Sequence, residues 1–168
     1  HRDLHTAYRR QRQMCIRDRQ WFDVALIPST YAYDHQKLPW ASNPLTDPLL
    51  GSASTPLWHD GAASDKFDKV QAISTNPAIA AGLRVCWEGD RLDRNCGHCY
   101  KCVVTQACWW LVGVAAPGCF DDPAEPAELA GLEFERPYRR LLAEKMAAQA
   151  VERGRHDIAG PLSEALAR

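Results

Sequence analysis

The chain lacks a charge excess, a long apolar run and an early glycine. Its 20 basic and 21 acidic residues give a net charge of −1, which provides no general attraction to nucleic acid or to an anionic membrane. The longest apolar run, residues 107–116, has ten residues and is too short to span a bilayer. No glycine precedes Gly51, so the first fifty residues contain no glycine-rich loop of the kind that binds phosphate.

The cysteine content indicates a reducing compartment. An odd total of seven cysteines and the absence of a recognisable secretory signal disfavour a disulfide framework. We therefore expect a cytoplasmic protein whose thiols are reduced. The length of 168 residues and a hydrophobic content of 46% are typical of one globular domain with a sizeable core.

The first 19 residues differ from the rest of the chain. They contain six arginines and two aspartates, a local charge of +4. The stretch MCIRDR at residues 14–19 resembles a translated sequencing adapter, so we expect residues 1–19 to be a non-native or disordered extension. The alternative is a basic arm that contacts phosphates.

Four cysteines follow the pattern C-x9-C-x2-C-x2-C within residues 86–102. They are Cys86, Cys96, Cys99 and Cys102. Four thiolates can surround Zn²⁺ as a tetrahedron, and a C-x-x-C turn points its two sulfurs at one centre. Gly97 lies inside the first turn, where a residue without Cβ can adopt a positive φ. The spacing therefore predicts a structural zinc site.

Three other interpretations of these cysteines stay open: buried thiols, disulfides and an iron–sulfur cluster. The sequence C-x2-C-x2-C also begins the ferredoxin motif, which continues with x3-C-P, but Gln106 occupies the place of that last cysteine. His98 could replace one ligand, although four well-spaced thiolates make it a loop residue or a support for the ligands. Cys108 and Cys119 lie outside the compact spacing and are expected in the core.

Short apolar segments alternate with helical patterns, which predicts an α/β fold with crossover connections. Residues 21–27 and 57–60 are expected strands. The predicted helices before the tail cover residues 65–74, 77–82 and 100–114. The last of these is apolar on all sides, so we expect it to be buried.

The tail, residues 121–168, is rich in Ala, Glu and Arg and predicts a small helical cap. Helices are expected to begin near Pro123 and at Pro137, and residues 163–168 to form a last turn or to fray. Leu141 is expected on the apolar face of the second of these helices.

Four phrases carry a resemblance to a known family. They are PWASNPLTDPL (residues 39–49), HDGAASDKFDKV (59–70), LRVCW (83–87) and NCGHCYKC (95–102). Together they resemble the C-terminal half of a PP-loop ATP pyrophosphatase, an adenine nucleotide alpha hydrolase-like protein close to 7-cyano-7-deazaguanine synthase and its uncharacterised relatives. The resemblance covers about residues 21–120, and the cysteine block is its most specific part.

The resemblance implies the C-terminal half of a doubly wound parallel sheet, with a four-cysteine zinc knuckle and a helical C-terminal tail. It also implies a structural Zn²⁺ held by the four cysteines of residues 86–102. In the full-length enzyme, ATP and Mg²⁺ would activate a small-molecule substrate as an adenylate and release pyrophosphate. The family's phosphate loop, S-G-G-x-D-S, is absent here, so we expect a fragment that lacks the N-terminal nucleotide-binding half and is inactive alone.

Four residues are candidates for the substrate side of a pocket. His59 and Asp60 end a predicted strand, where ligands bind in open α/β sheets, and could orient a substrate or relay a proton. Lys66 and Lys69 could contact a phosphate or a carboxylate. A turn at Asp60 and solvent-exposed helix lysines are the alternatives. The relatives, as the resemblance implies, have an arginine close to the place of Lys66.

We therefore expect three segments: an extension over residues 1–19, an α/β domain with the zinc site over 20–120, and the tail over 121–168. Two other functions stay open, a non-catalytic zinc module that contacts protein or nucleic acid and an iron–sulfur protein. The near-neutral charge disfavours nucleic acid as a partner. No catalytic residue is assigned.

Overall fold

The computed structural model describes residues 23–29, 32–33, 43–86, 88 and 93–168. The expected extension at residues 1–19 lies outside the described residues. The chain divides into two compact units, His1–Ser64 and Asp65–Arg168. The predicted segment boundaries near residues 20 and 121 stay predictions.

The first unit contains a two-stranded parallel sheet. Strand β1 spans Ala25–Pro28 and strand β2 spans Leu57–Asp60, with Ala25 opposite Leu57 and Pro28 opposite Asp60. The predicted bounds of β2 are confirmed, whereas β1 ends one residue later than expected. These are the only strands among the described residues, so the chain is α/β-like and the doubly wound sheet stays a prediction.

The second unit is helical. Its helices are α1 (Lys66–Ser74), α2 (Pro77–Gly82), α3 (Tyr100–Leu111), α4 (Pro137–Glu152) and α5 (His156–Leu166), with a 3₁₀ helix at Pro126–Gly131. The predicted starts of α2, α3 and α4 are confirmed. No helix in the described part of the chain combines the length and the apolar character needed to cross a membrane.

Polar side chains cap the first two helices. Asp65 is the N-cap of α1, and its carboxylate accepts from the backbone N–H of Asp68 at 2.9 Å while the Asp68 carboxylate accepts from the backbone N–H of Asp65. This reciprocal pair satisfies two N–H groups that lack partners within the helix, so α1 begins one residue later than expected. The Asn76 side chain caps α2.

Helix α3 is the centre of the second unit. Ten of its twelve residues are buried, as its uniformly apolar sequence predicts. Val70 of α1, Met146 of α4 and Leu162 of α5 belong to the same buried cluster. The predicted end at residue 114 is wrong, because the helix ends at Leu111 and Gly113 turns the chain with a φ of 86°.

Two arginines after α4 bind the last carbonyl groups of α3. Arg155 donates to the carbonyl oxygen of Trp110 at 2.7 Å, and Arg153 donates to that of Leu111 at 3.0 Å. These carbonyl oxygens have no partner within the helix, and the negative end of the helix dipole favours a cation. The tail therefore stabilises the C-terminal end of α3.

The tail departs from the prediction in three places. The expected helix start near Pro123 is wrong, because the first helical segment is the 3₁₀ helix that begins at Pro126. The expected short turn at residues 163–168 is instead the end of α5, which continues through Pro161. Leu141 is exposed, whereas Ala143, Met146 and Ala150 of the same helix are buried.

An ion pair with a buried carboxylate joins the start of α1 to α4. Lys145 Nζ lies 2.6 Å from Asp65 Oδ2, and the side chains of Asp65 and Lys145 are 7% and 42% exposed. Burial raises the pKa of Asp65, but the hydrogen bond from Lys145 and the backbone N–H of Asp68 outweigh burial, so the pKa falls below its ordinary value of 3.8.

Lys145→Met is expected to lower the free energy of unfolding by about 2 kcal/mol at pH 7, because it leaves a buried carboxylate without its cation. A lowered folded-state pKa means that Asp65 contributes stability above its unfolded pKa and loses it as the pH falls through the folded pKa. The difference from wild type in urea unfolding should therefore shrink below about pH 4. Arg140→Met, which removes an exposed pair with Glu144 on the same helix, is the control. Equal effects of the two substitutions at pH 7 would contradict this expectation.

Candidate metal centre

The four cysteines that the spacing selects lie together in the second unit. The sulfurs of Cys86, Cys96, Cys99 and Cys102 are all within 4.8 Å of one another. The sulfurs of Cys96 and Cys102 are 3.8 Å apart. Cys86 and Cys102 are buried and the other two are half-buried, and all four are free thiols.

Three pieces of backbone bring these sulfurs together: the segment after α2, the turn around Gly97 that follows Cys96, and the start of α3. Cys86 follows α2 in residues 83–86, which have no regular secondary structure. Cys99 is the N-cap of α3, and Cys102 lies in its first turn. The unpaired N–H groups and the positive dipole end of a helix favour thiolates at this position.

Gly97 adopts the conformation that the sequence predicts. Its φ is 91°, which disfavours any residue with a Cβ. An added Cβ would also overlap the carbonyl oxygen of Asp122. The turn between Cys96 and Cys99 therefore requires glycine on two independent grounds.

The buried side chain of Asn95 fastens the cysteine loop to the chain on both sides. Its Oδ1 accepts from the backbone N–H of Val85 at 2.9 Å and from Arg84 Nη1 at 3.0 Å. Its Nδ2 donates to the carbonyl oxygens of Leu83 and Cys119, each at 2.8 Å. One amide thus holds the segment that carries Cys86 against the turn that carries Cys96.

Gln106 fixes the same loop from α3. Its side chain is fully buried, with Nε2 donating to the carbonyl oxygen of Gly97 at 2.7 Å and Oε1 accepting from the backbone N–H of Ala124 at 2.9 Å. This is the residue at the place where the ferredoxin motif would have a cysteine. Here the side chain positions the loop instead of ligating a metal.

His98 lies outside the group of sulfurs. Its Nδ1 is 2.8 Å from Glu128 Oε2, and its Nε2 is 3.1 Å from Asp122 Oδ2. Hydrogen bonds to Glu128 and then to Asp122 raise the pKa of His98. The imidazole therefore ties the cysteine turn to the chain after α3, as a supporting residue rather than a fifth ligand.

The environment of the thiols differs from one to the next. Burial raises the pKa of Cys86, but the backbone N–H of Cys96 at 3.4 Å and other hydrogen bonds bring the pKa down to about 7. Burial raises the pKa of Cys99 and of Cys102. Without a cation these two thiols therefore keep their protons, and a divalent metal ion would displace them.

The site can hold a metal ion, because four sulfur donors converge without a disulfide between them. The fold and the site together define an α/β-like protein with a four-cysteine centre at the start of a buried helix. Comparison of the chain with protein-family models, with curated proteins and with solved structures finds no match.

The candidate substrate-side residues fall into different units. His59 and Asp60 belong to β2 in the first unit, and Lys66 and Lys69 belong to α1 in the second. His59 and Asp60 are adjacent residues of one strand, so their side chains point to opposite faces, and their role on the substrate side of a pocket stays a prediction. His59 pairs with Asp47, a residue that sequence reasoning did not select.

Lys66 is not the solvent-exposed lysine of the alternative prediction. Its side chain is half-buried, and burial lowers its pKa, an effect that the electrostatic interaction with Cys108 partly offsets. Cys108 itself is fully buried in the core, as predicted, whereas Cys119 is half-buried.

Proposed function

We propose that the chain is the zinc-bearing C-terminal part of an ATP-dependent, adenylate-forming enzyme of the PP-loop ATP pyrophosphatase type. The observation that carries the proposal is the convergence of the four sulfurs within 4.8 Å in the spacing of the family's cysteine block. The parallel pairing of β1 and β2 is consistent with part of a doubly wound sheet, in which parallel strands predominate.

The sulfur geometry favours one metal ion over a cluster of several. A tetrahedral Zn²⁺ with Zn–S bonds of about 2.3 Å requires sulfurs about 3.8 Å apart. The Cys96 and Cys102 sulfurs are 3.8 Å apart, and no two of the four sulfurs are more than 4.8 Å apart. A cubane cluster places one cysteine on each of four irons and so separates the sulfurs more widely. Zinc with four thiolates has no open position for water, so its role here is structural.

The proposal has three further parts, which concern the nucleotide, the substrate and the compartment of this 168-residue chain. Without a glycine-rich phosphate loop, ATP and Mg²⁺ would bind to a nucleotide-binding half supplied by a longer protein. Lys66 and Lys69 stay candidates for contacting a small-molecule substrate there. The six described cysteines are free thiols, which suits a reducing compartment such as the cytoplasm.

Metal analysis and nucleotide titration test the proposal separately. Purified protein should contain one zinc per chain and have no visible absorbance, and calorimetric titration with Mg²⁺–ATP should give no heat of binding. When the chain is joined to an upstream segment that contains the S-G-G-x-D-S loop, the joined protein should bind Mg²⁺–ATP. Visible absorbance would indicate iron, and tight ATP binding by the chain alone would contradict the assignment. Salt-sensitive RNA binding that disappears on deleting residues 1–19 would instead support a binding module.

A further inference from the structure

A buried His–Asp pair lies in the first unit, in the part of the chain that contributes no metal ligand. The Nε2 of His59 is 3.2 Å from Oδ2 of Asp47, and each side chain is 3% exposed. Asp47 is the first residue of the 3₁₀ helix Asp47–Leu50, and its backbone N–H donates to the carbonyl oxygen of Asn43 at 3.0 Å. Local structure therefore fixes the backbone that carries this carboxylate.

The pair determines which imidazole nitrogen carries the hydrogen. An ionised carboxylate can only accept hydrogen bonds, so the hydrogen between the two groups belongs to His59 Nε2. When the ring is neutral, its lone pair is then on Nδ1. This nitrogen is buried and has no hydrogen-bond partner among the residues that the structure describes. A buried acceptor without a donor is rare in folded proteins and calls for a ligand or a water molecule.

The position of the pair suits a ligand. His59 lies near the carboxyl end of β2, and the chain segments that leave the two parallel strands stay together beyond that end. The backbone N–H of Ser29 donates to the carbonyl oxygen of Asp60 at 2.7 Å, and that of Tyr33 donates to the carbonyl oxygen of Ala62 at 2.9 Å. Open α/β sheets bind ligands beyond the carboxyl ends of their strands.

We propose that His59 and Asp47 form a proton-accepting pair, in which Nδ1 of His59 receives the hydrogen of an N–H or O–H group of a small-molecule ligand. In full transfer, the N–H or O–H bond breaks, its electron pair stays on the ligand atom, and the proton becomes the Nδ1 hydrogen. Asp47 then offsets the positive charge of the imidazolium. The proposal gives His59, a candidate for the substrate side of a pocket, a partner and a specific role, and it depends neither on the metal nor on the class of enzyme.

The ¹⁵N spectrum of the histidine rings tests the pair in the intact chain. At pH 8 we expect the His59 ring to be neutral with Nε2 protonated and Nδ1 unprotonated, the signal being assigned by its loss in His59→Gln. Asp47→Asn should abolish this preference, because an amide can also donate. Asp60→Asn, a change in the adjacent acid of the same strand, should leave it intact. A protonated Nδ1 in the wild-type chain would overturn the proposal without any variant.

A small donor tests the ligand class. Titration with methylammonium chloride should shift the Nδ1 resonance of His59 saturably, towards the position of a hydrogen-bonded nitrogen. Tetramethylammonium chloride has the same charge and no N–H group, so it should leave the resonance unmoved. In Asp47→Asn the apparent affinity for methylammonium should fall about tenfold or more, because the hydrogen bond between the charged ligand and Nδ1 of His59 is lost. In Asp60→Asn the affinity should stay unchanged. An equal response to both salts, or a response to neither, would overturn the proposed ligand.

Discussion

Replacing Cys102 with serine is expected to remove the metal and to unfold much of the second unit. A structural zinc site provides roughly 10 kcal/mol of apparent binding free energy at neutral pH, which is comparable to the whole stability of a domain. Cys102 is the ligand with the most to lose, because it is fully buried in the first turn of α3. A strong chelator added to the wild-type protein should have the same effect.

The measurements are metal content per chain and thermal unfolding followed by circular dichroism. Cys108→Ser is the matched control, since Cys108 is equally buried on the same helix and lies outside the group of sulfurs. That variant should keep its metal and lose only about 1 kcal/mol, the effect of burying a hydroxyl group. Cys99→Ser should resemble Cys102→Ser. Wild-type metal content and melting temperature in Cys102→Ser would exclude these sulfurs as the metal site.

Asn95→Ala should produce the second-largest loss of stability, about 4 kcal/mol. The substitution leaves the backbone N–H of Val85 and the carbonyl oxygens of Leu83 and Cys119 without their side-chain partner. All three bonds are partly buried, and leaving a buried group unsatisfied costs about 1–3 kcal/mol. Removing residues that orient metal ligands typically lowers metal affinity about 10- to 100-fold, so zinc should also bind more weakly.

Urea unfolding of the metal-loaded protein and competition with a zinc chelator would measure the two effects. Asn76→Ala provides the comparison, because Asn76 also accepts two backbone hydrogen bonds but caps the exposed start of helix α2. Loss of that cap should cost about 1 kcal/mol and leave zinc affinity unchanged. Equal losses of stability in Asn95→Ala and Asn76→Ala would contradict the expectation that the hydrogen bonds of Asn95 stabilise the fold more than an ordinary helix cap does.

The features that the sequence predicts well depend on neighbouring residues. The C-x2-C-x2-C turns, the positive φ of Gly97 and the Asn76-Pro77 helix start are each determined within a few residues. The burial of α3 also follows from its own composition, because a helix that is apolar on all sides has no face for solvent. To predict that Cys86 lies beside the other three sulfurs, one has to assume in addition that all four thiols bind one ion.

The features that the sequence did not predict depend on contacts between distant residues. Asn95 reaches Cys119 across 24 positions, and nothing in its local sequence marks that partner. His59 pairs with Asp47 across a turn, while the nearer acid, Asp60, points to the other face of the strand. The length of α5 was missed because Pro161 normally ends a helix, whereas packing of Ile158 and Leu162 stabilises this one through it.

The two ends of α3 are held by different parts of the chain. The cysteine loop supports its N-terminal end, and Arg153 and Arg155 bind the carbonyl oxygens at its C-terminal end. Helix α3 is about 18 Å long and is therefore held by other parts of the chain at both of its ends. Loss of support at either end would loosen the whole helix, so the cysteine loop and the two arginines both limit its fraying. We therefore expect the second unit to unfold in one cooperative step, without separate fraying of the two ends of α3.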